Sequence, residues 1–108
     1  MEQEKPVPIE PRTRQEIEQI PEIKTYIESL QKEGSKVTSC YEEDGKVYIC
    51  RVVRPEENQN DYYTYIAEFT PVTDGEETRY RYEKERLYNA WLHGKLYVAY
   101  ENGRLYSV

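Results

Sequence analysis

Twelve of the 108 residues are tyrosine, against one phenylalanine and one tryptophan, so nearly all of the aromatic mass carries a phenolic hydroxyl. The tyrosines at 48, 62, 63, 65, 80, 82, 88, 97, 100 and 106 fall in segments that alternate with period two. Such alternation marks strands, where aromatic side chains suit a half-buried pleated surface. They are too many for one face of a small sheet to bury. Some of them are expected to face solvent or a partner, with an apolar ring and a polar tip.

A chain of this length forms one domain with a core of its own, without needing a metal or several disulfides. Its 21 acidic and 15 basic residues give a net charge of −6 and are mixed along the chain. That balance disfavours passive adhesion to nucleic acid or an anionic membrane. No apolar run approaches the roughly 18 to 20 residues of a membrane span, and the first residues lack the apolar centre of a secretory signal. The compartment stays open.

Residues 1–12 (MEQEKPVPIEPR) hold three of the six prolines. This composition predicts an extended tether, with an edge strand through Val7 and Ile9 as the alternative. Residues 13–108 are expected to form the single domain. Thr13 and Glu16 have capping-box spacing, so a helix starts near Arg14. Pro21 interrupts it, and proline suits the first turn of a new helix. A main helix is therefore expected from Pro21 to Glu33, with Ile20, Ile23, Ile27 and Leu30 as its apolar stripe and Gly34 as its stop.

From residue 36 the period switches to two, predicting strands at 36–42, 46–54, 61–70, 77–92, 95–101 and 104–108 joined as a meander. Asp44-Gly45, His93-Gly94 and Asn102-Gly103 read as hairpin turns. An Asn102-Gly103 turn pairs Tyr100 with Leu105, and a His93-Gly94 turn pairs Trp91 with Leu96. The first face of these hairpins then carries Leu87, Trp91, Leu96, Val98, Tyr100 and Leu105. The segment 76–86 (EETRYRYEKER) is too charged for a buried strand and reads as a long exposed one, bulged near Lys84 to Arg86. The fold class is α+β: one kinked helix packed on a twisted antiparallel meander of five or six strands.

Cys40 and Cys50 flank the first hairpin. A three-residue loop Glu43-Asp44-Gly45 sets them diagonally on one face, a two-residue loop puts them on opposite faces, and only a register centred on Gly45 brings them together for a disulfide. Two half-buried thiols are the expectation. Two cysteines and a distant histidine do not supply the four ligands of a zinc site, so no metal or cofactor is expected. His93 reads as a turn residue rather than a catalytic base, since the sequence places no nucleophile or orienting carboxylate for it. Asp44, Asp61 and Asp74 read as local backbone caps.

The candidate binding residues are Tyr62, Tyr63, Tyr65, Tyr80 and Tyr82 with Arg79 and Arg81, on two strands joined near Thr73-Asp74-Gly75. Tyrosine gives large contact area at low entropic cost. The expected function is a non-enzymatic binding module using a tyrosine-rich sheet face toward a protein or glycan, with a homodimer as another use of the patch. The helix Ile20-Pro21-Glu22-Ile23-Lys24-Thr25-Tyr26-Ile27, the hairpin over 36–53 and the strand Tyr62-Tyr63-Thr64-Tyr65-Ile66-Ala67-Glu68-Phe69 resemble small bacterial cystatin-like or PepSY-like domains over residues 20–83. The resemblance implies a helix wrapped by an antiparallel sheet, with binding or inhibitory roles. Peptidase inhibition through hairpin tips is thus the alternative function, and a small ligand-pocket protein the next. The first hairpin reads Glu42-Glu43-Asp44-Gly45-Lys46, without the Q-x-V-x-G of cystatin inhibitors.

Overall fold

The computed structural model describes residues 12–55, 60–100 and 104–107. The expected tether therefore lies outside the described residues, apart from Arg12. Two helices, α1 (Arg14–Glu18) and α2 (Pro21–Lys32), precede six strands: β1 (Lys36–Glu43), β2 (Lys46–Val53), β3 (Tyr62–Asp74), β4 (Glu77–Leu92), β5 (Lys95–Ala99) and β6 (Leu105–Ser107). All neighbours pair antiparallel in sequence order, which is a meander.

Thr13 caps α1 through the reciprocal bonds of a capping box with Glu16. Gln19 and Ile20 separate this short helix from α2, so two short helices stand where one kinked helix was expected. Proline at the first position of α2 causes the restart, because it cannot donate into a continuing ladder. The stripe of α2 is buried at Ile23, Ile27 and Leu30, and it packs with Ile17 on Val37, Cys40, Val47, Ile49, Ala67 and Phe69. Ile20 is only partly buried at this edge.

The helices cover one face of β1, β2 and the adjoining halves of β3 and β4. On the reverse face Cys50 and Ile66 are buried without any helix. There the cross-strand pair Tyr41 and Tyr48 stacks at 5.1 Å between ring centroids. Burial, followed by the neighbouring Cys50, Glu43 and Tyr48, raises the Tyr41 pKa.

Three registers correct the sequence reading. The first hairpin closes with Glu43 opposite Lys46, a two-residue Asp44–Gly45 turn with positive φ at both positions. Cys40 then faces Ile49 and Cys50 faces Ser39, which places the thiols on opposite faces and leaves both free. At the C-terminus Ala99, not Tyr100, pairs with Leu105. The Tyr100 N–H donates to the Arg104 carbonyl, so the register is one step off the one an Asn102-Gly103 turn imposes, and that turn itself lies outside the described residues. That single step moves Leu105 to the face of Tyr97 and Ala99 and leaves Tyr106 with Val98, because side chains alternate with period two. Finally, β4 bulges at Glu83 and again at Tyr88, on either side of the expected bend. The second bulge puts Leu87 on the helix-side face, away from Trp91. The His93–Gly94 turn and the Trp91–Leu96 pair stand as expected.

Candidate functional site

The tyrosines singled out in the sequence divide between the two faces. Tyr63, Tyr65, Tyr80 and Tyr82 lie on the helix-side face, since their partners or neighbours in the ladder are Val53, Arg51, Pro71 and Phe69. Tyr62 lies on the reverse face opposite Trp91, with the Arg54 guanidinium 5.5 Å from its ring centre. Arg79 and Arg81 also point to the reverse face, opposite Val72 and Thr70. Tyr65 is half-buried beneath Arg51, whose guanidinium is 5.1 Å from the ring centre. Of the five tyrosines only Tyr82 is prominently exposed, at 48%.

What gathers Tyr80 and Tyr82 into a site is the position of α2 beside β4. Tyr26 of α2 meets Phe69 edge-on at 5.1 Å, and Tyr82 closes the group at 5.6 Å from Phe69 and 5.8 Å from Tyr26. These rings, with Pro21, Glu22, Thr25, Ser29 and Tyr80, line an open groove of about 550 Å³. Burial, followed by the nearby Glu85 carboxylate, raises the Tyr26 phenol far above its usual range, and burial likewise raises Tyr82. Both stay neutral donors at physiological pH.

The walls of this groove are fixed by charge-assisted bonds. Arg51 holds Glu85 with two bonds of 2.8 and 3.2 Å and donates to Ser35 Oγ at 2.9 Å. Tyr26 donates to the same carboxylate at 3.4 Å, so α2, its exit loop, β2 and β4 are tied at one point. At the other end Arg12 grips Glu42 through Nε and Nη2 and donates to the Tyr80 hydroxyl. Its hydrogen bonds lower the Glu42 pKa.

One side of β4 completes the site. Strand β5 pairs only with Asn89–Leu92, so from Glu77 to Tyr88 the outer edge of β4 has no strand neighbour among the described residues. Pro71 opposite Tyr80 has no N–H to give, and the Tyr80 N–H points outward, where Glu22 Oε1 accepts it at 3.3 Å. Alternation along an antiparallel strand gives Thr78 and Tyr82 the same outward N–H and C=O. The opposite edge of the sheet is different: Arg14 donates to the Val37 and Thr38 carbonyls of β1 at 3.2 Å each.

Sequence reasoning missed Tyr26, Phe69, Glu22 and Pro71 as parts of this site. Tyr26 stands three residues after Ile23, on the flank of the apolar stripe, and that spacing was its available signal. At the far end of the sheet His93 is a turn residue with φ 51°, as expected. Asp61, expected to cap its local backbone, is instead buried and accepts the distant His93 N–H at 3.0 Å. Among the described residues no group of His, Cys, Asp and Glu is arranged to hold a metal ion, and no helix is long and apolar enough to cross a membrane. No protein-family model, curated protein or solved structure matches the chain.

Proposed function

We propose that this chain is a non-enzymatic binding module that takes up an extended polypeptide as an added strand on the outer edge of β4. One observation carries the reading: among the described residues the edge from Glu77 to Tyr88 has no strand neighbour, and it lies beside an aromatic groove. Strand addition draws affinity from main-chain hydrogen bonds and selectivity from pockets for alternate side chains. Outward N–H and C=O groups at Thr78, Tyr80 and Tyr82 supply the first, and the groove between Tyr82 and α2 supplies the second. The tyrosines contribute as a rigid floor, with Tyr82 as the exposed member.

Peptidase inhibition through hairpin tips draws less support. The Asp44–Gly45 turn ends β1 and the His93–Gly94 turn ends β4, and successive antiparallel strands place these turns at opposite ends of the sheet. The Trp91 hairpin and the first hairpin therefore form no common wedge.

The test is selection of peptides of about ten residues, enough to span an average strand, from a displayed random library. Thr78→Pro removes an outward N–H without touching the β3 ladder, and proline is tolerated on an edge. It is expected to weaken the selected peptides at least about tenfold, the equivalent of about 1.4 kcal/mol, with an unchanged fold by circular dichroism. Tyr82→Ser is expected to weaken them as well. Full binding by both variants would overturn the reading.

A further inference from the structure

The occupant's charge pattern follows from the reverse side of the same edge, an inference that rests on the strand-addition reading above. Because Tyr80 and Tyr82 face the groove, the alternate residues of β4 face the other way, and these are Glu77 at the turn, then the cations Arg79, Arg81, Lys84 and Arg86. The bulge at Glu83 keeps the pattern in phase: without it Lys84 would turn toward the groove. Among the described residues Arg79 and Arg81 are held by their own strand, to Glu77 at 3.6 Å and to Glu83 at 3.2 Å, with both guanidinium side chains more than 60% exposed. Exposed pairs of this kind are worth little and exchange readily for a better acceptor. Arg86 lies over the Tyr88 ring at 5.8 Å, and Lys84 is exposed.

We infer that the partner strand is acidic and apolar in alternation: apolar side chains opposite Thr78, Tyr80 and Tyr82 enter the groove, and carboxylates between them lie along Arg79, Arg81 and Lys84. Charge complementarity chooses this occupant over the others. A second copy of β4 laid antiparallel on the first sets two rows of cations side by side, which is repulsive. A basic peptide meets the same row. The chain as a whole carries a net charge of −6 and repels an acidic ligand, so the concentration of arginine and lysine on this one edge selects where such a ligand is accepted. Glu22 holds the place of the ligand. Its carboxylate already accepts the Tyr80 N–H that a partner's carbonyl would take, and it adds a negative charge at the groove.

Three synthetic peptides of about ten residues, with valine alternating with glutamate, lysine or serine, test this on the full chain. Fluorescence anisotropy reads affinity, and amide resonances of Thr78, Tyr80 and Tyr82 report whether the edge is used. The glutamate peptide is expected to bind at least about tenfold more tightly than the lysine peptide at low salt, with the difference shrinking as salt is added. Glu22→Ala is expected to tighten it further, and Arg79→Glu with Arg81→Glu to reverse the order of the charged peptides. If the peptides perturb the edge amides with equal affinity, the acidic-partner inference fails while the edge reading stands. If none perturbs them, both fail. Sedimentation showing a dimer with protected edge amides would assign the edge to a second copy instead.

Discussion

Asp61 shows how one side chain governs a distant turn. It is 6% exposed and accepts the His93 N–H across the end of the sheet, so removing it strands a donor beside Trp91 and Tyr62. Asp61→Ala is expected to cost about 1 to 3 kcal/mol in denaturant titration, and Asp61→Asn, which keeps an acceptor, to recover part of it. Glu42 gives the pH dependence. Arg12 lowers its pKa in the folded chain, so its stabilising contribution is present above the ordinary carboxylate range and lost as pH falls through the folded value. The difference in thermal midpoint between the parent and Glu42→Gln is expected to vanish on acidification; a difference that persists in acid would break the assignment. Cys40 is raised to about 11 by burial, which keeps it a thiol at neutral pH. Mass spectrometry is expected to find both cysteines alkylated only after unfolding, with no reductant needed.

Helix α2 does two jobs with two faces. Ile23, Ile27 and Leu30 seal the sheet, while Glu22, Thr25, Tyr26 and Ser29 form a wall of the groove. Truncating Ile27, which is 8% exposed, to alanine is expected to cost about 2 to 5 kcal/mol. A loss under about half a kcal/mol, the range of surface substitutions, would mean the stripe is not core. Strand β4 is likewise divided. Its first part is an edge with bulges, arginines and a capping carboxylate, the means by which sheet proteins keep an open edge from pairing with copies of themselves. Near its end, Asn89, Ala90 and Trp91 are interior to the sheet between β3 and β5.

The whole molecule is long, with extents of 62 × 31 × 24 Å and a radius of gyration of 17.0 Å, against about 13 Å for a compact domain of this size. The length follows the β3–β4 hairpin, since the 16 residues of β4 alone extend over about 50 Å, and the two short helices cover only part of the meander. Amides of β2 and the middle of β3, under α2, are expected to exchange last, and those of β5 and β6 first, in hydrogen-exchange mass spectrometry. Uniform protection would contradict the division into a covered and an uncovered part.

Local chemistry was enough for the elements. Thr13 with Glu16, Pro21, the isoleucine stripe and the Asp-Gly and His-Gly pairs each act within a few residues, through caps, backbone angles and periodicity, and each stands where the sequence places it. The order of the strands followed as well, because short connections make neighbours pair. Faces and edges were another matter. A two-residue first turn, the Ala99–Leu105 register and two bulges in β4 each shift alternation by one residue, and such a shift costs little locally while it reverses every side chain beyond it. Arg79 parts from Tyr80, and Tyr62 from Tyr63, by alternation alone, and Phe69 meets Tyr82 through the unbroken register of the β3–β4 hairpin, while Tyr26 joins them only because α2 packs there. Only the packing of α2 beside β4, and the point where β5 begins to pair, set which backbone groups remain open for a partner.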